Sequence, residues 1–311
     1  MKLAFCTSYS EERLSFARAA GFDSLEISVD PSSSLDLDRL TDGDLDRVRD
    51  RFQEQGLSVA TVSCSPQHLS SDAAERKRVR AYFARALRCC RRLGTDIVAT
   101  GAAGSHEVPP RLRVALYREV FGEYARIAEG EGVRIAIENC PGHGGYPVVV
   151  GNLAFSPELW GALFDAVPSK AIGLEFDPSH LVFLSIDYLR ALREFSSRVY
   201  AFHAKDTEID PGGWGRYGCF GSQLMGKGEY RVGTWDFGWW RFRIPGWGDI
   251  DWKKVFQALL DGGYDGPVII EHEDPVFRTE RHDEGLRRGL AFLRQFVPGG
   301  GAIPREGHDG L

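Results

Sequence analysis

Four residues of metal-ligating type end four short apolar runs in the second half of the chain. Val133–Ile137 leads into Glu138, Ile172–Phe176 into Asp177, Val199–Phe202 into His203 and Val268–Ile270 into Glu271. If those runs are strands converging on one axis, two glutamates, an aspartate and a histidine surround a common point. Three carboxylates gathered without a cation repel one another and take up protons, whereas a divalent ion satisfies them and the imidazole together. One divalent metal ion is therefore the expected cofactor. Three oxygen donors and one nitrogen, with no thiolate, suit Mn2+ best and Mg2+ or Co2+ next, while the general order of affinities also admits Zn2+ or iron in vitro. Lys205, two residues after His203, shares one side of an extended strand with it and would hold an oxyanion or donate a proton; the alternative is a surface cation. Arg243, in Arg241-Phe242-Arg243-Ile244-Pro245, would bring a second cation to the substrate, and His143, in Pro141-Gly142-His143-Gly144-Gly145, would approach from the loop after the fifth strand.

The elements that must position these groups alternate along the chain. Short runs rich in β-branched residues are separated by longer segments of helical period, the pattern of βα units. Strands are expected at Lys2–Thr7, Ser24–Val29, Ser58–Ser65, Asp96–Gly101, Val133–Asn139, Ile172–Asp177, Val199–His203 and Pro267–Glu271. Helices are expected at Glu11–Ala20, Asp44–Gln55, Asp72–Leu93, Pro110–Glu129, Ser156–Ala166, Asp187–Phe195, Trp252–Asp261 and Thr279–Phe296. Gly21, Gly56, Gly94 and Gly132 each stand just before a strand, where a left-handed helix cap favours glycine, and Ser156-Pro157 marks a helix start. Eight such units, with no glycine-rich phosphate turn after an early strand, predict an α/β fold: a single-domain (β/α)8 TIM barrel rather than an open doubly wound sheet. Residues 207–250 break the rhythm as a long Trp/Gly-rich loop after the seventh strand, carrying Trp214, Trp235, Trp239, Trp240 and Trp247. A βα loop usually has ~2–6 residues, so this one reads either as a compact excursion with its own aromatic core or as a lid or subunit contact at the active-site face. Residues 297–311, with Gly299, Gly300, Gly301 and Pro304, read as a flexible C-terminal tail.

Composition narrows the function classes. With 311 residues and 43% hydrophobic content the chain can bury a large core, which excludes a disordered protein. Lys and Arg number 38 against 44 Asp and Glu, without a cationic block, so no nucleic-acid partner is expected. The start, MKLAFCTSYSEERLSF, makes a poor secretory signal, and no run approaches the ~20 apolar residues of a membrane span. A cytoplasmic location with no membrane association is expected. The six cysteines form no CxxC pair and should be reduced, mostly buried in or beside strands.

Five segments carry a family resemblance: Ile135-Ala136-Ile137-Glu138-Asn139, Asp177-Pro178-Ser179-His180, His203-Ala204-Lys205-Asp206, Pro245-Gly246-Trp247-Gly248-Asp249-Ile250-Asp251-Trp252 and Ile270-Glu271-His272-Glu273-Asp274. From Met1 to about Phe296 the chain resembles the sugar phosphate isomerase/epimerase superfamily of xylose isomerase-like barrels. Its relatives include ketose 3-epimerases, inosose dehydratase, endonuclease IV and the metal barrels of C-glycoside deglycosylation. The resemblance implies that Glu138, Asp177, His203 and Glu271 ligate the metal and that Glu138 and Glu271 also act as catalytic acid and base on opposite faces of an enediolate. It further implies that His180 hydrogen-bonds a substrate oxygen. The chemistry is physically consistent: a cation that polarises a carbonyl and its neighbouring hydroxyl acidifies the adjacent C–H and stabilises the enolate oxygen.

Departures from the family pattern qualify the substrate. Ketose 3-epimerases carry a glutamate six residues after the first ligand and an arginine six after the metal histidine, where this chain has Gly144 and Ile209. The extra histidines of endonuclease IV are missing, which argues against DNA repair. The expected function is a divalent-metal-dependent isomerase or epimerase acting on a keto-sugar or cyclitol. With a leaving group β to the carbonyl, the same enolisation gives the alternative, a lyase on a 3-keto-glycoside or an inosose dehydratase. A carbohydrate-binding barrel without catalysis is the third reading. The expected partner is a small carbohydrate, with a second copy of the chain or a small accessory subunit covering the Trp-rich segment.

Overall fold

Eight parallel strands pair in chain order and close on themselves where the last meets the first. In the computed structural model, which describes residues 1–106, 108–144, 149–225 and 238–297, they are β1 (Lys2–Thr7), β2 (Ser24–Ser28), β3 (Ser58–Ser63), β4 (Ile97–Thr100), β5 (Arg134–Glu138), β6 (Ile172–Phe176), β7 (Val199–His203) and β8 (Pro267–Ile270). Each is followed by a helix: α1 (Glu11–Ala20), α2 (Asp42–Glu54), α3 (Ala73–Cys89), α4 (Pro110–Glu131), α5 (Pro157–Ala166), α6 (Pro178–Phe183) with α7 (Tyr188–Glu194), α8 (Pro211–Met225) with α9 (Trp252–Asp261), and α10 (His282–Arg294). The expected (β/α)8 barrel is what forms. None of the described helices is long and apolar enough to cross a membrane. All six thiols are free, although Cys89 and Cys90 lie at the end of α3 rather than beside a strand, and Cys219 is exposed.

Local chemistry sets the element ends. The Ser10 hydroxyl accepts the Arg13 N–H at the start of α1, and Gly21, at φ 88°, closes the same helix in the left-handed region. A capping box between Thr41 and Asp44 starts α2. The strand period of two then sorts side chains between two layers. Leu3, Phe5, Leu25 and Ile27 point outward into the main core beneath the helices, while Ala4, Ala60, Ile97, Ala136, Ala201 and Ile269 fill the barrel interior. A side chain at Gly173 would collide with the Tyr200 ring and the Arg198 carbonyl, so glycine is needed there for Tyr200 to pack.

The segment 207–250 is not a structureless loop. Asp206–Ile209 pairs antiparallel with Trp240–Arg243, and α8 runs between them with its path broken at Gly218. Trp239, Trp240 and Phe242 are buried together with Phe183 of α6, and the Trp240 and Phe183 rings stack 3.8 Å apart at 8°. The excursion therefore has its own aromatic core. Trp235 and residues 298–311 lie outside the described residues. One buried carboxylate ties the excursion to β7. Asp206 Oδ1 accepts the N–H groups of Thr207 at 2.9 Å and Ile250 at 3.2 Å, and Oδ2 accepts those of Gly246 at 3.0 Å and the Trp252 indole at 2.7 Å. Gly248 packs so closely over this carboxylate that a Cβ would collide with it.

His68 anchors the opposite side of the barrel top. The ring is fully buried, with Nδ1 3.1 Å from the Tyr124 hydroxyl, Nε2 2.8 Å from Thr100 Oγ1, and the rings of Phe83, Phe121 and Tyr124 around it. Burial pushes its pKa down from 6.5 to about 3. The unfolded chain thus binds a proton below about pH 6.5 that the folded one refuses until about pH 3, so stability is full above that window and falls as pH drops through it. Each tenfold difference in proton affinity between the folded and the unfolded chain is worth ~1.4 kcal/mol. In a His68→Gln variant, the slope of unfolding free energy against pH between about 4 and 6 should be shallower by about one proton. An unchanged slope would show that His68 carries its charge in the fold.

Candidate active site

The C-terminal ends of β5 to β8 bring Glu138, Asp177, His203 and Glu271 together, with one ligand atom from each lying within 4.8 Å of all the others. His203 Nδ1 sits 3.5 Å from Glu138 Oε1 and 3.4 Å from Glu271 Oε2. His180, one turn into α6, places Nε2 3.4 Å from Glu138 Oε1 and 3.3 Å from Asp177 Oδ2.

Amides hold this geometry. The Asn139 side chain accepts the Asp177 N–H at 2.7 Å and donates to the Asp177 carbonyl at 2.8 Å, which extends the β5–β6 pairing by one side-chain rung. Asn152 Nδ2 donates to the carbonyls of Glu138 and Cys140. Asp177 caps α6 by accepting the Ser179 N–H on Oδ1, which leaves Oδ2 for the cluster.

Glu138 Oε1, Asp177 Oδ2 and His203 Nδ1 are buried without a hydrogen-bond partner. Buried polar atoms are rarely left unpaired, and three of them from three different strand ends converge here. Hard oxygens with one imidazole fit a divalent cation, and the orphaned atoms are those such an ion would engage.

Lys205 gives the site its charge balance. Its side chain is 1% exposed, which overturns the surface-cation alternative. Nζ bonds Glu271 Oε2 and, at 2.9 Å, Glu273 Oε2; it lies 3.3 Å from both Asp177 Oδ2 and His180 Nε2, and 4.3 Å from the Phe242 ring centre. Burial alone would lower the lysine pKa, but Glu271, Glu273 and Asp177 outweigh it and hold the ammonium well above its usual value. Burial raises Glu271, yet Lys205 and His203 together more than reverse that and bring it to about 2. Glu138 is likewise pushed up by burial and drawn well below the carboxylate range by His180 and His203. Burial disfavours the charged form of His203, but Glu175, Cys6 and Glu26 hold its pKa well above 6.5.

Exposure divides the four residues. The side chains of Glu138 and Glu271 are 21% and 25% exposed, whereas those of Asp177 and His203 are 0% and 4%. The two glutamates are the solvent-accessible members of the set. Arg243 is nearly buried, its guanidinium bonded to Asp274 Oδ2 at 2.9 Å and to Glu208, so this cation is engaged by carboxylates beside the site. His143 pairs through its backbone with Val150 in a two-residue ribbon, and its side chain lies outside the described residues. Sequence reasoning missed Glu273, Cys140, Cys6, Glu26 and Glu175. The last was readable in principle, because it precedes Asp177 by two positions and must share its inward side.

The sequence profile of the xylose isomerase-like TIM barrel family matches residues 14–296. The chain belongs to that family. Among curated relatives, the uncharacterized protein YfiH of Bacillus subtilis (strain 168) is 26% identical over 332 residues, covering 96% of this chain and 99% of that one. The inosose dehydratase of Geobacillus thermodenitrificans is 32% identical over 115 residues, 37% of this chain and 35% of that protein. Among solved structures, D-psicose 3-epimerase from Clostridium cellulolyticum H10, with D-tagatose, superposes with a TM-score of 0.69 at 18% identity, covering 95% of this chain and 99% of that one.

The acidic neighbours that hold the His203 pKa well above 6.5 favour a ring protonated on both nitrogens, so uptake of a divalent ion at Nδ1 should displace a proton. Below the raised pKa of His203, apparent affinity for Mn2+ should therefore climb about tenfold per pH unit for each proton displaced. Titrating chelator-treated protein with Mn2+ in weak buffer should release acid. An affinity independent of pH would contradict the protonated His203.

Proposed function

We propose that the protein is an isomerase or epimerase of keto-sugars or cyclitols, and that it works by moving a proton at the carbon beside a carbonyl. The observation that carries this reading is the unequal exposure of the cluster: Asp177 and His203 are sealed, while Glu138 and Glu271 remain partly exposed to solvent. A divalent ion held by these four residues would supply the polarisation of the carbonyl and its neighbouring hydroxyl that makes the C–H acidic. Glu138 and Glu271 each offer one oxygen to the cluster and keep a second for the substrate, so one removes the proton and the other returns it.

Lys205, charged and bonded to Glu271, is placed to stabilise negative charge on a substrate oxygen or to protonate it. His180 presents its imidazole between Glu138 and Asp177, where a substrate hydroxyl would meet it. Phe242 borders both groups, its ring 5.4 Å from that of His180 and facing Lys205. Ile209 adds to the same aromatic cluster at the position where ketose 3-epimerases carry arginine, which favours a substrate held by a ring face over one held by a cation. Arg243 braces this wall through Glu208 and Asp274. The half-exposed Trp214 and Trp247 remain available to a sugar ring, a second copy of the chain or a small subunit.

A second reading rests on the partial matches to inosose dehydratases, which share 32% identity over about a third of each chain in the Geobacillus protein. The same proton abstraction, with a hydroxyl β to the carbonyl, expels water. Incubation in D2O with ketoses, inososes and 3-keto-glycosides, followed by NMR, separates the two. Exchange with the carbon skeleton retained supports the isomerase or epimerase, and loss of water or aglycone moves the assignment to the lyase. Glu271→Gln should slow exchange by about 10²–10⁴-fold with an unchanged circular dichroism spectrum. Full exchange in both Glu271→Gln and Glu138→Gln would remove the pair from the mechanism.

A further inference from the structure

We propose that Glu175 and Glu26 are positioning residues that hold His203 as an Nδ1 ligand, clamping the ring from the side opposite the cluster. The inference rests on the metal reading of the four-residue site. The two nitrogens of His203 face different surroundings. Nδ1 looks toward Glu138 and Glu271, whereas Nε2 lies 3.2 Å from Glu175 Oε1, 3.5 Å from Glu26 Oε1 and 3.7 Å from Cys6 Sγ. Glu26 and Glu175 are 4% and 2% exposed, inside a barrel whose apolar filling is alanine and isoleucine.

Two carboxylates buried there are costly unless something engages them, and hydrophobic residues of similar volume would serve the core better. The ring N–H of His203 is a donor that both of them face. Glu26 is itself braced, one oxygen taking the Thr61 hydroxyl and the other the Cys6 thiol at 3.4 Å. Glu175 Oε1 has no hydrogen-bond partner and lies nearest to Nε2.

The strand register makes this arrangement rigid. Glu26 on β2 sits level with Cys6 on β1 and Thr61 on β3, and Glu175 on β6 sits level with Ala201, two residues before His203. Side chains from β1, β2 and β6 thus meet around one imidazole, with β3 bracing Glu26. A proton fixed on Nε2 leaves the lone pair of the neutral ring on Nδ1, directed at the carboxylate cluster, and prevents the ring from turning over. The same atoms could instead be read as ligands of a second ion, since Cys6, Glu26 and His203 also converge. That alternative is separable by stoichiometry.

The test uses the full chain with Glu175→Gln and Glu26→Gln, isosteric changes checked for folding by circular dichroism and melting temperature. Wild type should bind one Mn2+, and each variant that folds should bind it about 10–100-fold more weakly. In histidine-labelled, Zn2+-loaded wild type, NMR should show His203 protonated on Nε2 with slow solvent exchange, a signal that shifts or broadens in Glu175→Gln. Unchanged affinity and an unmoved Nε2–H signal in both variants would overturn the proposal. Two ions in wild type falling to one in Glu26→Gln would also overturn it, in favour of a second metal site. If wild type binds no divalent ion, the metal reading fails by itself. The Nε2–H signal of the ion-free protein still decides whether the pair holds the ring, and a signal that moves in neither variant rejects it.

Discussion

Mutual repulsion among buried carboxylates is the constraint on which this structure turns. Glu138, Asp177 and Glu271 meet at one end of the barrel axis, Glu273 joins them through Lys205, and Glu26 and Glu175 lie just beneath. Like charges gathered in a low-dielectric interior either take up protons or recruit cations. Both responses are visible here. Lys205 is drawn in until its side chain is almost completely buried, the pKa values of His180 and His203 are held well above 6.5, and three ligand atoms remain without a hydrogen-bond partner. A divalent ion resolves the same electrostatic problem with fewer protons.

The fold supplies the convergence, and its local devices supply the asymmetry. Asn139 and Asn152 fix the ends of β5 and β6, and Asp177 is pinned by capping α6, so the ligands do not depend on loop order. Asp206 then anchors the aromatic excursion that places Phe242 against His180 and Lys205. Glu138 and Glu271 stay partly exposed because they sit at the rim of this arrangement, while Asp177 and His203 sit beneath it. Residues of similar chemistry thereby differ in accessibility by position alone.

Much of this was legible in the sequence, for physical reasons that can be named. Strand ends carrying Glu138, Asp177, His203 and Glu271 stood out because short, largely apolar runs stopped at a polar, ligand-type residue, and Gly21 and Gly132 marked the helix ends before the strands that follow. α6 was not legible, since six residues beginning at Pro178 are too few to show helical period. The Asp206–Ile209 and Trp240–Arg243 ribbon was missed because its partners are short and more than thirty residues apart, so only tertiary packing of Trp240 on Phe183 reveals it. The burial of Lys205 depends on Glu273, which reaches it from beyond β8. Glu26 reads as an ordinary acidic position within a strand until the barrel turns it inward to the histidine.

The central claim is that a single divalent ion sits among Glu138, Asp177, His203 and Glu271. Anomalous diffraction at the manganese edge from crystals grown with Mn2+ tests it most directly. The account predicts one strong peak within bonding distance of Glu138, Asp177, Glu271 and His203 Nδ1, with Lys205 displaced from Glu271. A peak on the Nε2 side among Cys6, Glu26 and Glu175, or no ordered peak at saturating Mn2+, would contradict it.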